Sequence, residues 1–222
     1  MENNFIIKYI LFDLDGTITD PFLGITRSVA YSLESFGIKV NGLEELKVFI
    51  GPPLRESYMN FYGMNEQQSE HAVNKYREYF SDKGIFENEV YLGIEDLLEE
   101  LVDQGKKLYI CTSKPVVFAK KILKHFDLEK YFTGVYGSEL DGTRSAKKDV
   151  ISYCLENENI NKDSCIMVGD RKHDIIGANE NNLPCIGVLY GYGSKDELEE
   201  LYCDKIVSNI EELKNVLLKQ NS

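Results

Sequence analysis

The chain has 222 residues, 43% hydrophobic and 28% charged, an ordinary globular composition with enough apolar material for one large domain or a core with an inserted module. Its net charge is −12, from 37 acidic and 25 basic residues, which argues against nucleic-acid and anionic-membrane partners. Five widely spaced cysteines with no C-x-x-C pair exclude a disulfide framework or a zinc site, and Cys111, Cys165 and Cys185 lie in apolar runs as small core residues.

Residues 1–4 lack the basic region and apolar run of a signal peptide, and no stretch reaches the length of a membrane span. A reduced, cytoplasmic setting is therefore the expectation. Tyr9, Ile10, Leu11 and Phe12 read as a short buried strand. Asp13 and Asp15 stand where that strand ends, and Gly16 breaks the element. Ligand sites in open α/β sheets lie at such carboxyl ends. Two acids crowded there repel and need a cation, a shared proton or strong hydrogen bonds. A hard divalent cation with oxygen ligands answers that need.

The pattern then turns helical for about seventy residues. Ile25, Val29, Leu33 and Phe36 mark one helix, closed by Gly37. Leu43, Leu46 and Phe49 mark a second over 42–49. The segment 50–55 is a loop into a third helix, with Pro53 suited to a first turn. A longer helix over 65–83 carries Val73, Tyr76, Tyr79 and Phe80. No strand interrupts the block, so a helical module is expected between the first strand and the rest of a sheet, hinged at 18–21 and 87–90. Packing of these helices into a single domain is the alternative.

A helix over 93–104 and a strand over 107–111 follow, and then Thr112, Ser113, Lys114 and Pro115. Hydroxyl residues between a strand and a helix offer donors to an anion, or simply cap the helix. A helix over 117–126 and a short strand over 134–137 lead to a helix start carrying Lys147 and Lys148. Lysines there oppose the helix dipole, which makes sense beside an anion. The strand 163–168 ends in a second acidic pair, Asp170 and Asp174, four apart and on one side if the helix begins there. A strand over 184–188, a Tyr190–Gly193 loop, an acidic helix over 195–201, a strand over 205–207 and a helix over 210–218 complete the chain. Such alternation argues for a parallel sheet covered on both faces. No G-x-G-x-x-G follows any strand, so a dinucleotide fold is excluded.

Four of these stretches, in this order, resemble the motifs of the haloacid dehalogenase-like superfamily: F-D-L-D-G-T at 12–17, T-S-K-P at 112–115, a lysine near 147, and G-D-x-x-x-D at 169–174. The resemblance implies an α/β, Rossmann-like parallel core formed by 1–19 and 88–222, and a helical C1-type cap domain formed by 20–87. It further implies a Mg2+-dependent phosphatase acting through an aspartyl-phosphate. Asp13 would be the nucleophile and Asp15 the general acid. Thr112 and Lys147 would stabilise the phosphoryl group, with Lys148 as the alternative lysine. The metal would be held by Asp13, Asp170, Asp174 and the Asp15 carbonyl. Ser113, Lys114, Gly16 and Thr17 would contact substrate. Arg55, in I-G-P-P-L-R-E-S, resembles the cap-loop residue of phosphoglycolate phosphatase-like and β-phosphoglucomutase-like members.

Lys114, Lys147, Arg171, Lys172 and His173 all fall within these motifs and would let an acidic protein accept an anion. Asp15 separates the chain from dehalogenases, which lack that acid. The segments 170–178 and 187–194 resemble the 5′-nucleotidase-like group. The expected substrate is a small phosphate ester, a nucleoside 5′-monophosphate or 2-phosphoglycolate, with the protein a monomer or homodimer. A phosphomutase and a pyrophosphatase remain alternatives, and a non-catalytic phospho-ligand binder is a more remote one.

Overall fold

The apolar run near the start of the chain forms strand β1 (Tyr9–Phe12). The structure, a computed structural model, describes residues 6–218, so the stretch 1–4 read for signal character lies outside the described residues. After β1 come β2 (Thr19–Asp20), α1 (Phe22–Glu34), a 3-10 segment Leu43–Phe49, α2 (Leu54–Tyr62) and α3 (Glu66–Phe80). The chain returns through β3 (Glu89–Val90). It then alternates through α4 (Ile94–Asp103), β4 (Lys107–Pro115), α5 (Val116–His125), β5 (Phe132–Ser138), α6 (Lys147–Asn157) and β6 (Cys165–Gly169). It ends with α7 (Lys172–Glu180), β7 (Cys185–Val188), α8 (Lys195–Glu199), β8 (Lys205–Val207) and α9 (Ile210–Leu218).

Among the described residues, six strands form one sheet in the order β5-β4-β1-β6-β7-β8, with every pairing parallel. The chain runs outward from β1 to β4 and β5, then crosses back to place β6 on the other side of β1. Strand order therefore reverses at β1, and ligands of open sheets bind at the carboxyl ends of such strands. Alternation along each strand feeds two cores. Ile10 and Phe12 of β1, Leu108 and Ile110 of β4, and Ile166 and Val168 of β6 face α4, α5 and α9. Leu11, Tyr109, Cys111, Cys165 and Met167 face α6 and α7. The cysteines are free, and Cys111, Cys165 and Cys185 are buried as core residues, joined by Cys154. No helix among the described residues is long and apolar enough to cross a membrane.

The helical segments 22–80 leave and re-enter through β2 and β3, which pair antiparallel as Thr19↔Val90 and Asp20↔Glu89, apart from the main sheet. The segments expected as hinges thus pair as a ribbon of two residues per strand, too short to announce itself by alternation. The segment 43–49 is a 3-10 helix and not an ordinary α-helix. Its apolar residues Leu43, Leu46 and Phe49 recur every third position, the repeat of three residues per turn. Pro53 is the residue before α2 and lies outside its first turn. The strand expected from 163 starts later, because Asn161 accepts the Asp163 N–H and turns Lys162–Ser164 into a 3-10 segment.

Candidate active site

Three neighbouring strand ends supply the site. The turn after β1 is closed by the amides of Thr17, Ile18 and Thr19, all donating to the Leu14 carbonyl, and by Gly16 N–H to Thr19 O at 2.7 Å. Gly16 has φ +85°, and a Cβ there would lie 2.2 Å from Asp170 Oδ2. A side chain is therefore excluded both by backbone conformation and by the close approach of β6's carboxyl end. Asp13, Asp15 and Thr17 are all buried.

On the other side, β4 and β5 pair in register from Tyr109↔Gly134 to Cys111↔Tyr136 and then slip to Pro115↔Ser138. Thr112, Ser113 and Lys114 stand against Gly137 alone and bulge out of register, a device that re-aims side chains beside active sites. Gly137 permits it, since a Cβ there would lie 2.5 Å from Lys114 O. Lys114 Nζ reaches Asp15 Oδ2 at 2.6 Å and sits 4.8 Å from the Phe80 ring centroid at the end of α3. Thr112 Oγ1 accepts the Lys114 N–H at 3.2 Å, while Ser113 Oγ and Thr17 Oγ1 are buried without a hydrogen-bond partner among the described residues.

Lys147 opens α6 and is buried, only 5% exposed. Its ammonium lies 2.7 Å from Asp13 Oδ1, 2.7 Å from Asp174 Oδ1 and 2.9 Å from the Cys111 carbonyl. Gly177 of α7 makes room, because a Cβ there would stand 2.9 Å from Lys147 Cγ. The apparent misplacement of a lysine at a helix start is thus resolved by two carboxylates. Lys148, the alternative, is exposed and pairs with Glu180 at 3.6 Å. Asp170 precedes α7, and Asp174 sits in its first turn, so the two acids converge although the helix has not begun at Asp170.

The electrostatics are those of an acid-rich, buried pocket. Burial pushes Asp170 well above the usual carboxylate range, and Asp174 and Asp13 push it further. Asp174 is pushed up to about 6, by burial first, against the pull of Lys147. Burial opposes the Lys147 charge, yet Asp13 and Asp174 hold it above its ordinary value. Asp15 is raised by burial, with Lys114 as the largest opposing influence. Oxygen atoms of Asp13, Asp170 and Asp174 lie within 4.8 Å of one another, and Asp170 Oδ1 is buried with no hydrogen-bond partner among the described residues. Three carboxylates against one ammonium leave a deficit of positive charge, and this all-oxygen donor set fits a hard divalent cation.

The remaining residues divide. Arg55 is exposed, 3.7 Å from Glu66, and lines a cavity of about 500 Å3 that Asp15, Ser113 and Lys114 also line. Of the five basic residues in the motifs, Lys114 and Lys147 reach the carboxylates. Arg171 turns away to Glu197 and to the Ile50 carbonyl at 2.5 Å, tying the core to the loop before α2. Lys172 is exposed. His173 is held down to about 4 by burial and by its cationic neighbours Arg171 and Lys172, so it is neutral and adds no charge near pH 7. Sequence reasoning missed the part played by Tyr190–Gly193. The Tyr192 N–H donates to Asp170 Oδ2 at 2.7 Å, and the signal available was two glycines closely following a β-strand.

Comparison with known proteins agrees with this geometry. A family model described as haloacid dehalogenase-like hydrolase matches residues 10–188. A 5′-nucleotidase of Pseudomonas aeruginosa is 49% identical over 208 residues, 94% of each chain. The tyrosine-protein kinase PtkA of Mycobacterium tuberculosis is 33% identical over 95% of this chain and 72% of its own length. The crystal structure of a predicted phosphatase from Clostridium acetobutylicum superposes with a TM-score of 0.95 at 51% identity, covering 96% of this chain and 99% of that one.

Proposed function

The chain belongs to the haloacid dehalogenase-like hydrolase family and is a phosphatase, and from that premise we propose that it hydrolyses nucleoside 5′-monophosphates with Mg2+ through an aspartyl-phosphate intermediate. The observation that carries the reading is the convergence of Asp13, Asp170 and Asp174 around Lys147, beside Asp15. Asp13, Asp170, Asp174 and the Asp15 carbonyl would hold Mg2+. When bound, the cation supplies positive charge that offsets repulsion between carboxylate and phosphate.

The chain's own residues do the rest. Asp13 Oδ attacks phosphorus, the P–O bond to the ester breaks, and Asp15 delivers its proton to the leaving oxygen. The raised affinity of Asp15 for its proton suits an acid. Water then attacks the phosphorus of the aspartyl-phosphate, Asp15 takes its proton, and phosphate leaves with Asp13 restored. Lys147 holds Asp13 in place and, with Thr112 and the Ser113 amide, balances charge on the phosphoryl oxygens. Lys114 lines the adjoining cavity, and Gly16 lies against Asp170.

Residues 20–87 act as the cap over a core formed by 1–19 and 88–222, with Arg55 on the cap side of the cavity. The cavity supports a nucleoside more than a two-carbon acid. It has a volume of about 500 Å3 and aromatic walls at Phe49, Tyr76, Phe80 and Phe118. The 5′-nucleotidase relative points the same way. The test is phosphate release with Mg2+ from nucleoside monophosphates, 2-phosphoglycolate, phosphotyrosine, sugar phosphates and pyrophosphate. Nucleoside monophosphates are expected to show the highest kcat/KM. A preference for 2-phosphoglycolate would move the protein to the neighbouring branch, and sugar phosphates converted to isomers without phosphate release would replace hydrolase with mutase.

Metal removal gives a second expected outcome. Mg2+ at one hundred times its Kd should stabilise the fold by about 2.7 kcal/mol over a chelated sample. Asp170→Asn should lose most of that gain. Equal unfolding midpoints with Mg2+ and with chelator would exclude Asp13, Asp170 and Asp174 as a cation site.

A further inference from the structure

We propose that Tyr192 is a positioning residue that ties the hinge of the helical unit to Asp170, so that cation binding and movement of that unit are coupled. The proposal rests on the reading of Asp13, Asp170 and Asp174 as cation ligands.

Two ends of one residue carry the argument. The Tyr192 N–H donates to Asp170 Oδ2 at 2.7 Å. Its phenol donates to Asp20 Oδ1 in β2, the outgoing linker to the helical unit. The same Asp20 oxygen accepts the Phe22 N–H at 3.0 Å and so orients the first turn of α1. Asp20 also pairs with Glu89 of the returning linker. A rotation at the ribbon that moves Asp20 therefore pulls on the residue that fixes Asp170.

The loop around Tyr192 has no slack to absorb that pull. A Cβ on Gly191 would lie 2.3 Å from the Gly16 carbonyl and 2.5 Å from Asp170 Oδ2, and one on Gly193 would lie 1.8 Å from the Asp170 carbonyl. The loop backbone is thus pressed directly onto the Asp170 main chain and the turn after β1. Tyr190 grips the same region, donating from its hydroxyl to Thr17 O at 3.0 Å and packing its ring 5.1 Å from that of Tyr91, just beyond β3. Both linkers are therefore touched by one four-residue loop. The ribbon they form is only two residues per strand and is separate from the main sheet, which suits a hinge of few residues. Linkage then requires reciprocity: if a cation at Asp170 favours one hinge geometry, that geometry favours the cation by the same factor.

Tyr192→Phe removes the phenol–Asp20 bond and leaves the backbone bond to Asp170. The experiment follows Mg2+ alone, by calorimetric titration and by amide hydrogen exchange of the full chain. In the native protein Mg2+ is expected to slow exchange about tenfold in both linkers, at 17–22 and 88–91. In Tyr192→Phe the Mg2+ Kd is expected to rise about fivefold and the linker response to fall below about twofold, with exchange in α5 unchanged. Asp20→Asn, which keeps an acceptor oxygen but not its charge, is expected to lie between and gives a second route if the first variant is unstable. A Tyr192→Phe variant with the full native linker response would overturn the proposal. So would native Mg2+ binding that slows only 13–16 and 170–174. Native protein that binds no Mg2+ would remove the cation reading itself, and the coupling with it.

Discussion

Asp13→Asn is expected to lower kcat on the order of 10^4-fold or more, the scale seen when a catalytic nucleophile is removed. An amide is no nucleophile toward phosphorus, and no other carboxylate is free to replace it. Asp15 is engaged by Lys114 at 2.6 Å, Asp174 by Lys147 at 2.7 Å, and Asp170 by the Tyr192 N–H at 2.7 Å. The fold should survive, because the substitution preserves shape and relieves repulsion among three buried acids. Rapid-quench trapping with a nucleoside monophosphate should give phosphoenzyme with the native protein and none with the variant. Activity within tenfold of native would mean that the phosphoryl group is not passed through Asp13.

Lys147→Met has the second-largest expected effect, and it acts on stability and rate together. Among the described residues, Lys147 is the one ammonium between Asp13 and Asp174, with its side chain 3% exposed. Removing one partner of a buried ion pair leaves uncompensated charge and typically costs about 3–5 kcal/mol. Urea unfolding in chelator should show a loss of this size, and Mg2+ should recover part of it. The rate should fall by about 10^2–10^3-fold even with saturating Mg2+, as when a preorganised donor to the transition state is lost. Lys148→Met is the control, since that exposed side chain pairs with Glu180 at 3.6 Å and its loss should change stability by less than about 0.5 kcal/mol. Similar behaviour of the two variants would remove Lys147 from the centre of the site.

Much of this was legible because the informative residues sit where local rules fail. A lysine at a helix start, two acids after each of two strands, and glycines against strand ends all depart from what packing alone prefers. Asp13, Asp15, Asp170 and Asp174 stood out as candidates because a strand, acids and a glycine fall within a few residues of one another. The choice between Lys147 and Lys148 could not be made so securely, since adjacent helical residues differ only in the direction they face. Burial of Lys147 against Gly177 settles which one points inward. The basic character of 171–173 misled in the other direction, because the charge count does not reveal that Arg171 is spent on Glu197 and Ile50 or that His173 is neutral.

The alternation of strands and helices, the parallel sheet, the long helical segment after the first strand, and the acids at two strand ends can all be read from the chain alone. These are properties of short windows, where side-chain periodicity and backbone preference act within one element. How those windows meet depends on packing between elements. The slip between β4 and β5 that aims Thr112 to Lys114, the pairing of β2 with β3, and the grip of Tyr192 on both Asp20 and Asp170 join residues far apart in the chain. Their energies come from contacts and charge balance between elements, and no local pattern contains them.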